Sequence, residues 1–350
     1  MIAGMAPLLD AVQMNCHIAD ARHARDMTLC SYLLEMREFY RWEHDLPQGA
    51  IPPRDDVGRW ISEREALWES VVDREFDPLP IAGGLRDPFD AGAINATLLP
   101  AGLVYGAGIG RFHKPHFFLG RLARMEQHDG LTVLVCDCEY ARDLTAIPAA
   151  LQGGTVIVRR ESLRQWLGEK AEAWGIKQNP GAMARALSAY GYDDDPSAAL
   201  VRMSEREIET LILHERGEHT AGRLLGSDWA DMIAGFTSRR PELLARAVRD
   251  NLADCLSTLP ILIERQGWPS LHFWFANFDG MRRELFPRLS TAYEAWVASN
   301  DPAALNQAIA AGRAHWQAIA IDMLSQFREQ GPAAESALAA LASAPVPLAL

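Results

Sequence analysis

The stretch Thr132–Glu139 reads TVLVCDCE, and it separates a mixed fold from an all-helical one. Five apolar or β-branched residues in succession, with Gly130 just upstream, form a run of buried-strand length. Leu103–Tyr105 and Thr155–Val158 are two more such runs, also bounded by glycines. A small β-region therefore occupies the middle of the chain. On an extended backbone Cys136 and Cys138 share one face, and Asp137 and Glu139 share the other. Thiols on a buried strand are packing residues before they are ligands.

Outward from this region the period changes to that of helices. Asp20–His44 is predicted as one helix, with Leu29, Tyr32, Leu33, Met36, Phe39 and Tyr40 spaced by three and four and with Pro47 and Gly49 as its stop. A second helix is predicted over Asp55–Asp73, and the Pro- and Gly-rich segment Asp77–Gly92 breaks the pattern. Helical spacing returns at Arg160–Trp174 and then at Glu205–Leu225, Pro241–Arg265, Gly280–Ser299 and Pro302–Gln330. The fold class is α+β, mainly α-helical, with a small central β-sheet region followed by a C-terminal helical bundle. The expected division is a mixed half over 1–190, a linker at Tyr190–Pro196 (YGYDDDP), a helical half over 197–330 and a mobile Ala/Pro-rich tail over 331–350.

With 350 residues, 49% of them hydrophobic, the chain can bury a substantial core. Its net charge of −12 argues against a nucleic acid or an anionic membrane as partner, since both recruit Lys and Arg. Arg159, Arg160 and Arg164 are the basic cluster that can still meet a phosphate. A small-molecule substrate is the expected partner, and the oligomeric state is left open. The start MIAGMAPLLDAVQ lacks the positive region and cleavage pattern of a secretory leader, so a cytoplasmic location is expected. The uncharged run Ala91–Gly110 carries five glycines and Pro100, which suits buried loop and strand and not a membrane helix. Cys16, Cys30, Cys136, Cys138 and Cys255 contain no C-x-x-C pair and read as packed thiols.

The most informative helix is the one containing LILHERGEHTAG, Leu211–Gly222. His214 and Glu215 begin the zinc-peptidase signature H-E-x-x-H, but Glu218 stands at the fifth position and His219 falls one residue late. At 100° per residue Ile208, Leu211, Ile212, Leu225 and Ile233 define an apolar face, and His214, Glu215, Glu218 and His219 lie on or beside it. Arg206, Glu209, Arg216, Gly217, Thr220 and Arg223 fall on the opposite side. A carboxylate inside an apolar stripe costs several kcal/mol unless it is paired, protonated or bound to a metal. Gly222, on the same face, points to close approach of another backbone or a ligand. The two readings are a buried ion network and a metal site. As ligands, His214 pairs with Glu218, or Glu215 with His219, each pair one turn apart.

Other polar groups are candidate ligands to complete that site. Glu43 follows the apolar line of the first helix. Cys16, Asp20, His23, Met27 and Cys30 would form one edge if their stretch were helical, with Asp20 as a natural N-cap. FHKPH, Phe112–His116, offers His113 and His116 as ligands and Lys114 as an anion contact and catalytic candidate. Asp254, Cys255 and His315 are additional candidates. YGAGIG, Tyr105–Gly110, lacks the dinucleotide fingerprint, and LHFWFANFDG, Leu271–Gly280, reads as core or pocket wall around His272. The carboxylate-rich donor set favours iron, with zinc or manganese as alternatives. The expected function is a non-haem iron or manganese oxidoreductase using His214, Glu215, Glu218 and His219, with Glu215 also a catalytic candidate. A zinc hydrolase with Glu215 as base, or a non-catalytic assembly protein with a buried polar network, are the alternatives.

Overall fold

The computed structural model describes residues 5–47, 49–110, 113–128, 130–343 and 348–350. Expectations that touch the first four residues, Phe112 of FHKPH or residues 344–347 of the tail lie outside the described residues. The chain is mixed α+β and mainly helical, and it divides into two units, Met1–Lys170 and Ala171–Leu350. This division comes earlier than the expected linker, which lies inside the second unit.

The first unit contains α1 (Ala6–His23), α2 (Leu29–Glu43), α3 (Arg54–Val71), a short hairpin of β1 (Leu79–Ile81) and β2 (Gly84–Arg86), and α4 (Ala91–Leu98). A five-stranded sheet follows, from β3 (Leu103–Ile109), β4 (Pro115–His128), β5 (Leu131–Arg142), β6 (Ala149–Gln152) and β7 (Thr155–Arg159). Its order is β3-β4-β5-β7-β6. β5 and β7 are parallel, with Thr132 opposite Thr155, and the other pairs are antiparallel. Gly153 and Gly154, both at positive φ, make the tight turn between β6 and β7, as two-residue hairpins require. Val12, Cys16 and Ala19 of α1 pack on Tyr105, Phe117, Leu119 and Ala141 of the sheet.

The predicted helix over Asp20–His44 is broken. α1 ends in a 3-10 turn at Ala24–Asp26, Thr28 is extended, and its side chain accepts a hydrogen bond from the Ser31 amide at 3.2 Å. A threonine that caps a new helix competes with continuation of the old one. The edge drawn from Cys16 to Cys30 therefore does not exist: Cys16 is buried and Cys30 exposed. Asp20 is no N-cap but a fully buried residue within α1.

α5 (Arg160–Lys177) follows the sheet directly. The second unit holds α6 (Ala182–Ala189), α7 (Pro196–Leu225), α8 (Ser227–Ala234), α9 (Arg239–Ala253), α10 (Leu259–Glu264), α11 (Trp268–Ala276), α12 (Gly280–Leu285), α13 (Pro287–Ser299), α14 (Ala303–Gln330) and α15 (Ala334–Ser343). α7 begins nine residues before the predicted Glu205. Pro196 occupies its first turn and the Asp195 carboxylate accepts from the Ala198 amide at 3.0 Å, a strong start signal within the segment read as linker. The predicted helix Pro241–Arg265 is interrupted by a π turn at Asp254–Thr258, one turn before Pro260. A proline ring collides with the carbonyl four residues back, here that of Leu256, and the wider turn relieves the collision. Gly280–Ser299 likewise splits at Phe286, ahead of Pro287.

The core of this unit runs from Leu213 and Leu225 of α7 through Leu244, Val248 and Leu252 of α9 to Trp316 of α14. Inside the stretch expected as a mobile tail, α15 buries Leu338 and Ala342 in this core. Its last residues are also tied down: His315 bonds the Leu348 carbonyl, and the Leu350 amide bonds that of Leu285.

Candidate functional site

α7 passes α9 so closely at Gly217 that a Cβ there would lie 2.3 Å from the Ala253 carbonyl oxygen. Helical periodicity alone puts Gly217 on the wet side and the close approach at Gly222. In fact Gly217 is buried, and nothing lies within 4 Å of a Cβ built at Gly222. The helix is rotated from the assumed register because its packing partner is α9 with the π turn. His214 and Glu218, one turn apart astride Gly217, consequently face Arg249 and Asp250 of α9 and Asp254 of the π turn.

The contacts form a chain. Asp254 Oδ1 lies 2.9 Å from His214 Nδ1, while the other oxygen of Asp254 accepts from Arg282 on α12. His214 Nε2 is 3.4 Å from Glu218 Oε1, which is 2.7 Å from Arg249; Arg249 also reaches Asp250 at 3.2 Å. Burial works against charge on every member. The carboxylates of Asp254 and Glu218 nevertheless drive the imidazole well above its ordinary pKa. Asp254 is held low by His214 and Arg282, and Glu218 by Arg249 and His214. Burial and the Glu218 charge push Asp250 up, against the pull of Arg249, and the same two causes push Glu215 up to about 8. Glu215 is buried and makes no hydrogen bond or ion pair among the described residues.

His214, Glu218 and Asp250 each offer one ligand atom, and these atoms lie within 4.8 Å of one another. His214 Nδ1 is fixed by a carboxylate, which leaves Nε2 for a ligand, the arrangement that orients metal-bound histidines. Of the sequence candidates, His214 and Glu218 belong to this group, Glu215 adjoins it, and His219, half-buried on the same helix, stands outside it. Glu43, Lys114, His113 and His116 belong to the first unit. Glu43 is gripped by Arg64 at 2.5 and 2.8 Å and by the Trp60 indole. Lys114 is buried against Asp20 at 3.0 Å and Thr145 at 3.2 Å; burial lowers its pKa, but Asp20 and Asp143 outweigh it. His113 is exposed at φ +59°, whereas His116 points Nδ1 at Asp143, 2.9 Å away. Arg159 is no surface phosphate ligand but a buried partner of Glu139. His272 bonds the Tyr293 hydroxyl at 2.9 Å within the aromatic cluster, as a pocket-wall residue would.

Asp250, Arg249 and Arg282 were missed. The signal for Asp250 was its spacing to Asp254, one turn on α9, which mirrors His214 and Glu218 on α7. Glu207 was missed as well: it is buried and accepts from Tyr190, Thr210 and Ser270.

Residues 7–159 match the N-terminal domain, and residues 164–345 the C-terminal domain, of a family of unknown function, DUF6866. The chain belongs to the DUF6866 family. No curated protein and no solved structure matches it. The junction between the two DUF6866 domains falls where β7 passes into α5, and the His214 cluster lies wholly within the C-terminal one.

A titration outside the cluster yields a stability prediction for the N-terminal unit. Burial and the Glu169 carboxylate push Glu35 up to about 8, against the pull of Arg142 and Lys114. A carboxyl with a raised folded pKa supports the folded state fully below its unfolded pKa of about 4.3, and that support is lost as pH rises toward the folded value. The urea midpoint is therefore expected to fall between about pH 5 and pH 8, and Glu35→Gln is expected to remove part of that slope. An unchanged slope in the variant would refute the assignment.

Proposed function

We propose that the chain is a metal-dependent enzyme whose C-terminal unit binds one divalent transition metal through His214 Nε2, Glu218 and Asp250. The observation that carries this reading is the orientation of His214: Asp254 holds one nitrogen while the other faces two acids on adjoining helices. The charge balance supports it too. Glu215, Glu218, Asp250 and Asp254 outnumber His214, Arg249 and Arg282, and a bound cation would offset the burial and the Glu218 charge that push Glu215 and Asp250 up. One imidazole with two carboxylates suits iron or manganese, hence redox chemistry at open coordination positions, and zinc-assisted hydrolysis is the alternative. In either case Glu215, adjacent and without a hydrogen-bond partner among the described residues, is the group placed to exchange a proton. Against the metal reading stands one specific observation: Arg249 and Arg282 already occupy Glu218 and Asp254, as in a self-contained ion network.

Elemental analysis of protein purified without chelators, followed by reconstitution with Fe(II), Mn(II) and Zn(II), separates the two. One equivalent is expected, retained through gel filtration by the wild type and by the exposed control Glu205→Gln. At least tenfold weaker uptake is expected in Glu218→Gln and Asp250→Asn, with circular dichroism unchanged. A wild type that takes up none of the three metals makes the cluster a structural network and overturns the enzyme reading.

A further inference from the structure

The glycines of YGAGIG have a second consequence, in the N-terminal unit. Gly106, Gly108 and Gly110 project toward one side of β3, where a Cβ would strike, respectively, the Phe118 ring at 2.1 Å, the Gln152 amide at 2.8 Å and the His116 ring at 2.6 Å. With no side chains in the way, these three groups lie flat against the strand. They and the neighbouring chain line a half-open pocket of about 170 Å³. Its apolar walls include Ile109, Phe117, Leu151 and Ile157, and its polar groups are His116, Gln152 and Arg159.

The polar groups are built in. Asp143 is fully buried and held ionised by His116 and Lys114 against the cost of burial. It accepts from His116 Nδ1 at 2.9 Å and from the Phe117 amide at 3.2 Å. An ionised acceptor on Nδ1 fixes the imidazole so that Nε2 is the atom left for a ligand. Arg159 is 5% exposed, stacks on Phe118 with its guanidinium carbon 4.4 Å from the ring centroid, and has a buried Nε–H with no acceptor among the described residues. An unpaired buried donor in a pocket wall is a cost that a ligand oxygen removes.

We propose that this pocket binds a small monocarboxylic acid with a compact apolar body, its carboxylate meeting His116 and Arg159 and its body filling the space between Ile109, Leu151 and Ile157. The volume sets the size. A dry cavity of about 150 Å³ takes up benzene, and drug-sized ligands need about 300 Å³ or more, so one ring or a short acyl chain fits. The site belongs to the N-terminal unit and does not depend on the His214 cluster.

Calorimetric titration of the full chain with benzoate and with hexanoate tests the proposal, with benzyl alcohol as the neutral comparison. Saturable binding of at least one acid is expected, at least tenfold tighter than the alcohol. A tenfold or larger loss is expected in His116→Gln and in Leu151→Trp, which fills the cavity, with circular dichroism unchanged in each. Equal affinity for the acid and the alcohol overturns the carboxylate assignment, and absence of saturable binding of either acid into the millimolar range overturns the site.

Discussion

Glu139→Ala is expected to destabilise the N-terminal unit by about 3–5 kcal/mol, the range for removing one partner from a buried ion group. Glu139 is fully buried on β5, and its carboxylate accepts from Arg159, from the Ser162 hydroxyl and, at 3.1 Å, from the Ser162 amide. Arg142, also fully buried, stands 4.0 Å away. Burial alone would push the carboxyl up, but Arg159 and Arg142 together hold it below its ordinary value. Truncation leaves two buried guanidiniums facing a void. It also strips the first turn of α5 of the carboxylate that its free amides and helix dipole favour. Glu139→Gln keeps the volume and the Ser162 contacts while losing the charge, so about half the loss is expected of it. Urea unfolding at neutral pH measures both, and a loss of under about 1 kcal/mol for the alanine variant would mean that the arginines find water or other acids as readily.

That group shows where sequence stops being informative. TVLVCDCE was legible as a buried strand because hydrophobic runs report local period and burial. The placement of Glu139 beside Asp137 was also legible, yet the two have opposite fates. Asp137 meets Arg121 at the surface, 2.9 Å away, and Glu139 anchors β7 and α5. Register shifts between β4 and β5 change which residues oppose one another, and no local pattern encodes them. Similarly, the wheel on α7 identified His214, Glu215 and Glu218 as polar groups on a face that had to be accounted for. It could not say that Asp250 and Asp254 would meet them, since that depends on a docking that brings together residues up to forty positions apart. Glu43, His113, His116 and Lys114 looked like possible members because sequence gives residue types without distances. Helix breaks at Thr28, Asp254 and Phe286 were missed for a related reason: each lies inside a continuous apolar period and is set by one capping residue or one proline.

The two glycines of α7 provide the sharpest contrast between periodicity and packing. Gly217→Ala is expected to cost about 3 kcal/mol despite the roughly 1 kcal/mol that alanine gains in helix propensity. The added methyl would sit 2.3 Å from the Ala253 carbonyl oxygen and 2.8 Å from its carbon, both backbone atoms that no rotamer change can move. α7 and α9 must part. Because Gly217 lies between His214 and Glu218, parting them draws His214 away from Asp254 and Glu218 from Arg249, so metal uptake in the reconstitution assay is expected to fall with stability. Gly222→Ala, five residues on, meets nothing within 4 Å, and the propensity gain stands alone: about 0.5–1 kcal/mol of added stability. Opposite signs in thermal unfolding of the two variants would establish that α7 docks on α9 through Gly217. The same sign in both would mean that the helix sits in another register, and the His214, Glu218 and Asp250 constellation would then lose its geometric basis.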